Sequence, residues 1–228
     1  MAAIEKVKVV VLGDSGVGKT SLTYLIAHNK PLVSPGWTVG CSVEVKLHRY
    51  KEGTQAQNTF FVELWDVGGS NGHRNTRNVF YQPTHGIILV HDLTNRKSQV
   101  NLQKWLSEIL NQDSSNPTLP HVDVDPEQFL GSTQIPILVI GTKFDLAEEK
   151  QRKNQYRRLA SSIAEQCGAD EIFVNTIGSV VPSLLINRCD GRAVFLSIDG
   201  AEIKKVGKVS GRAGGTTQKR KTGVLAGT

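Results

Sequence analysis

An apolar run that enters a glycine-rich turn is the feature that most restricts what this chain can fold into. The run VKVVVL at residues 7–12 has the continuous β-branched character of a strand buried on both faces. It leads directly into GDSGVGKT at residues 13–20, which matches the pattern GxxxxGK followed by Ser or Thr. The apolar spacing of Leu22, Leu25 and Ile26 then predicts a helix. Strand, turn and helix in this order predict a loop whose backbone N–H groups surround phosphate.

The chemistry expected of this loop is the binding of a nucleoside triphosphate. Its glycines allow the backbone to turn N–H groups inward, and the start of the following helix adds a positive field. Lys19 is expected to reach the β- and γ-phosphates, and the Thr20 hydroxyl is expected to bind Mg²⁺. The alternative is an ordinary glycine turn that happens to end in Lys-Thr. The nucleotide-binding residues predicted in this segment are Gly16, Val17, Gly18, Lys19, Thr20 and Ser21.

Strand-like and helix-like patterns alternate over residues 1–175, which we interpret as one domain. VEVKLHRY and FFVELWD, on either side of a polar stretch, predict a hairpin. GIILVHDL and IPILVIGTKFD predict two further buried strands, each followed by a segment with helical periodicity. This alternation predicts an α/β fold of the P-loop NTPase class, with a mostly parallel sheet and helices on both faces.

Residues 176–228 differ in character and form an atypical basic tail. They hold 9 Lys and Arg against 3 Asp and Glu, whereas residues 1–175 hold 18 of each, so the net charge of +6 lies in the tail. No 3.6-residue apolar stripe runs through the tail, and Gly178 and Pro182 would interrupt a helix. Asp190-Gly191 and Asp199-Gly200 indicate weak hairpins at best. We therefore expect an irregular or disordered tail, and a closing C-terminal helix that is absent or degenerate.

The segment LWDVGG at residues 64–69 supplies an acidic group at the end of a predicted strand. Asp66 is placed to hold a magnesium ion, and the Gly69 N–H to contact a terminal phosphate. On its own an Asp after a strand is more often a turn former. The metal-binding interpretation of this motif therefore depends on the phosphate loop upstream.

The segment GTKFD at residues 141–145 is the candidate for reading the base. The Asp145 carboxylate can accept hydrogen bonds from both the N1–H and the exocyclic amine of guanine, whereas adenine has no donors at those positions. The alternative is a Lys–Asp surface pair that closes a turn.

Together these motifs resemble those of the Ras superfamily of small GTPases, and within it the Rab branch. GDSGVGKT, WTVG, WDVGG, HGIILVHDLT and GTKFD carry the resemblance, which covers residues 6 to about 175. The resemblance implies a GTP/GDP switch with Mg²⁺, in which Thr38 joins Thr20 and Asp66 as a metal ligand in the GTP state. It also implies effector proteins that bind the switch regions as partners, and we include a homodimer among the possible assemblies.

Four elements of the family pattern are changed in this sequence. Ser70 stands where the family has the glutamine that orients the attacking water, so no catalytic residue is assigned with certainty. Thr142 replaces the Asn beside Lys143 and Asp145 in the base-reading motif, and Pro31 replaces an aromatic residue over the guanine. Asn175 and Thr176 occupy the place of the family's last base-binding loop. These departures predict retained nucleotide binding, weakened retention and poor intrinsic hydrolysis, in other words a slow GTPase at most.

The remaining features predict a cytoplasmic protein without a direct lipid anchor. Charged residues interrupt the N-terminal apolar run, and no segment approaches a membrane span. The three cysteines are widely spaced and none belongs to a CxxC pair, which argues against disulfides and a zinc site. The last of them, Cys189, is far from the C-terminus, so no lipid anchor is expected there. The basic stretches lack interleaved aromatic residues, so nucleic acid is not expected as a partner. The alternative function is a non-catalytic, GTP-stabilised scaffold.

Overall fold

A computed structural model describes residues 4–50, 52–55, 57–110, 135–153, 161–176, 183–189 and 192–199. Its main sheet has six strands in the order β2-β3-β1-β4-β5-β6. All neighbouring strands are parallel except β2 and β3, which pair as the antiparallel hairpin expected from the sequence. The strands are β1 (Glu5–Leu12), β2 (Cys41–Tyr50), β3 (Asn58–Val67), β4 (Gly86–Asp92), β5 (Ile137–Thr142) and β6 (Asp170–Phe173).

Helices connect the strands. They are α1 (Lys19–His28), α2 (Arg96–Val100), α3 (Leu102–Leu110), α4 (Phe144–Lys153) and α5 (Ser162–Cys167), with a 3-10 helix at Asn71–Phe80. The insertion at residues 111–134 and part of the amphipathic segment before α5 lie outside the described residues.

Helices cover both faces of the sheet, because both faces of the central strands are apolar. One buried cluster joins alternate residues of β1, β3 and β4 to Leu22 and Ile26 of α1. The other joins the opposite faces of the same strands to Trp105 of α3 and Ile163 of α5. This arrangement confirms the predicted α/β fold of the P-loop class.

The phosphate loop lies at the middle of the sheet, because β1 pairs with β3 on one side and with β4 on the other. Gly13 leaves β1 with φ of 152°, and a Cβ atom built there would lie 2.1 Å from the Val90 carbonyl oxygen. Only glycine fits this close approach of two backbones. The loop is therefore held directly above the carboxyl ends of three parallel strands, where ligands of open α/β sheets bind.

The tail contributes a second, two-stranded antiparallel sheet. Its strands are β7 (Ser183–Cys189) and β8 (Arg192–Asp199), with Cys189 paired to Arg192. The sequence interval between the strands is Asp190-Gly191, a pair that favours tight hairpin turns. The described parts of the tail, 183–189 and 192–199, are thus paired as strands, and the described residues beyond β6 contain no helix. The expectation that residues 176–228 as a whole are irregular or disordered stays a prediction.

Candidate functional site

The phosphate loop supplies a buried cation surrounded by backbone. Gly16 and Gly18 have φ of 77° and 94°, and Gly18 caps the start of α1. The Lys19 ammonium donates hydrogen bonds of 2.9 Å to the carbonyl oxygens of both Gly13 and Asp14. Burial lowers the pKa of Lys19, although the carboxylates of Asp66 and Asp14 oppose this shift. The two hydrogen bonds therefore hold the Lys19 side chain inside the loop that follows β1.

The other predicted residues of the loop lie where α1 begins. Val17 is buried beside Gly13, and its carbonyl oxygen faces β5. Thr20 and Ser21 occupy the first turn of α1 and are partly exposed. All six residues predicted for this segment thus lie on one continuous loop-to-helix turn.

Three side chains predicted to bind metal converge at one point. The Thr20 hydroxyl donates to Asp66 Oδ2 at 2.5 Å, and the Thr38 hydroxyl donates to the same oxygen at 3.0 Å. The two hydroxyl oxygens lie 2.9 Å apart. The fold therefore brings residues from α1, the 29–40 loop and β3 together beside the phosphate loop, although they are far apart in sequence.

The residues at this point fit a magnesium ion. Asp66 is fully buried, yet its Oδ1 has no hydrogen-bond partner among the described residues. A buried carboxylate oxygen without a partner is costly unless a cation satisfies it. The donors are hydroxyl and carboxylate oxygens, the type that Mg²⁺ prefers. Among the residues the structure describes, no group of three or more His, Cys, Asp and Glu could hold a metal ion, so the fit rests on this mixed set.

Two glycines after Asp66 allow three loops to pack together. A Cβ at Gly69 would lie 2.5 Å from the Ser15 nitrogen, in the phosphate loop. A Cβ at Gly68 would lie 2.7 Å from the Thr38 carbonyl oxygen, and the Gly68 N–H donates to the Gly40 carbonyl at 2.8 Å. Side chains at either position would push the loops apart, so the glycines permit the convergence at Asp66.

Thr142 and Lys143 connect the end of β5 to the phosphate loop. The Thr142 hydroxyl is buried and lies 2.6 Å from the Val17 carbonyl oxygen and 3.0 Å from that of His91. The Lys143 ammonium donates to the Gly16 carbonyl at 3.0 Å and to Asp92 Oδ2 at 2.6 Å. Both predicted residues thus support the loop through its backbone.

The pKa of Asp92 is held below its ordinary value of 3.8. Burial alone raises it, but hydrogen bonds from Lys143 and Thr94 outweigh burial. Asp92 was not among the residues predicted from the sequence. Its position at the last residue of β4, beside the end of β5, is the signal that could have indicated it.

Asp145, Asn175 and Thr176 lie around the start of α4. Asp145 is in the first turn of α4 and is partly exposed. The Val174 N–H donates to the Gly141 carbonyl at 2.8 Å, which brings the chain after β6 alongside the base-reading segment. Asn175 is partly exposed and Thr176 is buried. The structure therefore places these three residues at the same edge of the sheet as Thr142.

Ser70 lies directly between Gly69 and the 3-10 helix. Its side chain is partly exposed, and its carbonyl oxygen accepts a hydrogen bond of 3.1 Å from Arg77 Nη1. Arg77 is 2% exposed, which the polar sequence around it did not indicate.

No helix within the described ranges has the length and apolar content needed to cross a membrane.

A protein-family model described as the Ras family matches residues 8–176. Rab-like protein 3 of Mus musculus is 52% identical over 178 residues, which cover 75% of each chain, and that of Homo sapiens is 51% identical over 178 residues, with the same coverage. Small GTPase LIP1 of Arabidopsis thaliana is 36% identical over 165 residues, covering 69% of this chain and 46% of its own. These matches confirm the resemblance drawn from the motifs: the chain belongs to the Ras family, as a Rab-like small GTPase.

Proposed function

We propose that this protein binds GTP and GDP with Mg²⁺, hydrolyses GTP slowly, and recruits effector proteins in its GTP form. The convergence of Thr20 and Thr38 on Asp66, whose second carboxylate oxygen is buried without a described partner, is the observation that carries the proposal. Membrane traffic and signalling in the cytoplasm are the settings we propose, in keeping with the Rab-like relatives.

The phosphates would lie against the loop of residues 13–20. Lys19 would neutralise phosphate charge, and its present acceptors, the Gly13 and Asp14 carbonyls, keep it oriented along the loop. Thr20, Thr38 and Asp66 would hold the metal. When bound, Mg²⁺ neutralises charge on the β- and γ-phosphate oxygens.

The base would be read at the end of β5. The Asp145 carboxylate would accept hydrogen bonds from guanine. Asn175 and Thr176 would lie beside the base, on the segment that follows β6. Thr142 and Lys143 would support the site indirectly and would not contact the base, because their polar atoms already bind Val17, Gly16 and Asp92. This arrangement supports guanine selection with weaker retention than an Asn at position 142 would give.

Slow hydrolysis follows from the side chain at position 70. A glutamine there can accept a hydrogen bond from a water and donate another to phosphate, whereas the Ser70 hydroxyl is too short to span both. The effector surface would include the 33–40 loop, where Trp37 is 89% exposed and Val39 is 77% exposed. Val33 of the same loop is 85% exposed, and a group of exposed apolar side chains that forms one patch is typical of partner-binding surfaces.

A GTP-stabilised scaffold is the second candidate function, and Ser70 favours it. In that case the bound nucleotide would support the packing of the loops around Gly69 without being turned over.

The deciding experiment measures the nucleotide bound to the purified chain of 228 residues. Bound nucleotide is extracted and identified, and phosphate release from loaded GTP is followed over hours. We expect stoichiometric guanine nucleotide in the wild type and none in Lys19→Ala, with Lys97→Ala as the control because Lys97 is an exposed lysine of α2. Slow conversion to GDP supports the switch, and GTP that never becomes GDP supports the scaffold. Equal nucleotide content in Lys19→Ala would contradict the phosphate site itself.

A further inference from the structure

One face of α3 connects the phosphate loop to the segment after Gly69. Asn101, Trp105 and Glu108 are spaced by four and three residues, so they project from one side of the helix. The backbone hydrogen bond from Trp105 N–H to the Asn101 carbonyl, 3.2 Å long, extends the helical geometry back to Asn101. With Asp14 and Arg77 these residues form what we call the α3 network.

At one end, the network holds the phosphate loop through Asp14. Trp105 Nε1 donates to Asp14 Oδ1 at 2.9 Å, and Asn101 Nδ2 donates to Asp14 Oδ2 at 2.7 Å. Both oxygens of this carboxylate therefore accept from α3. Because Asp14 directly follows Gly13, these bonds fix the loop at its first turn.

At the other end, the network holds the segment that follows β3 through Arg77. Arg77 Nε and Nη2 donate to the two oxygens of Glu108, each at 2.9 Å. A planar guanidinium bound in this bidentate manner has its remaining donors fixed in direction. Arg77 Nη1 accordingly reaches the carbonyl oxygens of Gly68, at 3.4 Å, and Ser70, at 3.1 Å. These two carbonyls flank Gly69.

Trp105 joins the two ends. The Arg77 guanidinium lies 4.2 Å from the centre of a Trp105 ring, while the indole N–H of the same side chain binds Asp14. The Tyr81 hydroxyl donates to Glu108 Oε1 at 2.7 Å and completes its hydrogen bonding. Side chains of the α3 network thus connect α3 to the phosphate loop at Asp14 and to the carbonyl oxygens of Gly68 and Ser70 on either side of Gly69.

We propose that Arg77, Glu108 and Trp105 are positioning residues that hold the Gly69 backbone against the phosphate loop and so raise the affinity for GTP relative to GDP. The inference rests on the proposed nucleotide binding. The Gly69 N–H would contact only the γ-phosphate, which GDP lacks. If the segment around Gly69 were mobile, GTP would bind fully only to those molecules in which the segment is ordered, and its apparent affinity would fall by that fraction. GDP does not contact Gly69, so its affinity would not change.

The test compares two arginines of the same 3-10 helix in the chain of 228 residues, in the presence of Mg²⁺. Arg77→Gln removes the donors to Gly68 and Ser70. Arg74→Gln is the matched control, because Arg74 also approaches Glu108, at 3.6 Å, but is 55% exposed. The dissociation constants of GDP and of the slowly hydrolysed analogue GTPγS are measured by calorimetry for each protein.

We expect Arg77→Gln to weaken GTPγS binding by about 10-fold while GDP binding changes by less than about 2-fold. Arg74→Gln should leave both constants unchanged. Glu108→Gln, which removes the charge of the bidentate partner of Arg77 and leaves both donors to Asp14 in place, should shift the ratio in the same direction by a smaller factor, and it serves as the test if Arg77→Gln does not fold.

Equal loss of both nucleotides, or an unchanged ratio in Arg77→Gln and Glu108→Gln, would overturn the inference while leaving nucleotide binding intact. A wild type that binds neither nucleotide would instead overturn the proposed function, and this inference with it.

Discussion

The Thr20 hydroxyl donates a hydrogen bond of 2.5 Å to Asp66 Oδ2, across 46 residues of sequence. The bond joins the first turn of α1 to the end of β3, and the parallel pairing of β1 with β3 is what brings these two ends together. It occupies one carboxylate oxygen and leaves Oδ1 buried without a described partner. The pairing of the strands therefore brings together the hydroxyl and carboxylate oxygens of the predicted magnesium site, which lie far apart in sequence.

We predict that Mg²⁺ stabilises the wild-type protein loaded with GDP and that Asp66→Asn loses this effect. A ligand present at 100 times its dissociation constant raises the free energy of unfolding by about 2.7 kcal/mol. The amide of Asn carries no charge, so it should bind the ion far more weakly. Thermal unfolding with and without MgCl₂ measures the difference, and NaCl at the same ionic strength is the control for general salt effects. An equal magnesium-dependent shift in Asp66→Asn would contradict the assignment.

The hydroxyl of Thr142 has one proton but faces two carbonyl oxygens, those of Val17 and His91. An Asn amide has two N–H donors and one acceptor. We therefore predict that Thr142→Asn tightens GDP binding by about 1 kcal/mol, which is about 5-fold. Equilibrium titration with a fluorescent GDP analogue checks the change. Thr142→Val, which keeps the shape and removes the donor, should instead lower the free energy of unfolding by about 1–3 kcal/mol.

Asp92 should make the stability of the protein depend on pH. Its pKa is lowered in the folded state, so its contribution is complete above the unfolded value near 3.8 and is lost as pH falls through the folded value. Asp92→Asn should lower the free energy of unfolding by about 1–3 kcal/mol at pH 7, and the gap should close below pH 3.8. Urea unfolding across this range measures it. Asp170→Asn, at an exposed carboxylate, should show no gap at either pH.

The sequence predicted the fold and the loop residues because those depend on local patterns. Strand periodicity, glycines at fixed spacing and a hydroxyl after Lys19 are each visible within a few residues. The pairing of β2 with β3 and the helices on both faces follow from the same signals. The ligand roles of Thr20, Thr38 and Asp66 remain predictions, although the structure brings their side chains together.

The α3 network could not be predicted in this way. Arg77 lies in the polar stretch NGHRNTRNVF and has the sequence environment of a solvated charge. It is buried because Glu108 supplies a bidentate partner 31 residues away and Trp105 covers its guanidinium. Lys143 and Asp92 pair across 51 residues for a similar reason, namely that parallel strands align their carboxyl ends. Contacts of this kind depend on topology, which single residues do not encode.

Ser70 should limit hydrolysis. We predict that Ser70→Gln raises the single-turnover rate of GTP hydrolysis by about 10-fold or more, because the longer amide can orient a water. The segment is held by Arg77 at the Ser70 carbonyl, so the new side chain would start from a fixed backbone. Release of labelled phosphate from preloaded protein measures the rate. Ser70→Ala should leave it unchanged, and no gain in Ser70→Gln would mean that another group positions the water.

The last prediction concerns the sheet face that carries α1. Ile88 and Val90 of β4 are buried on this face, whereas α1 packs mainly against β1, β2 and β3. The β7–β8 pair comes close to this sheet, with β7 near β2 and β8 near β4, and we expect it to cover the apolar side chains of β4 on this face.

Truncation after Thr176 should therefore expose apolar side chains and lower the free energy of unfolding. Each large aliphatic side chain returned to water costs about 1.5–3 kcal/mol, so two of them amount to several kcal/mol. Urea unfolding and the binding of an apolar dye measure the effect. Truncation after Asp199, which keeps both strands and removes the basic segment behind them, is the matched control and should match the full chain. If the chain ending at Thr176 is as stable as the chain ending at Asp199, the strand pair does not serve as the cover of this face.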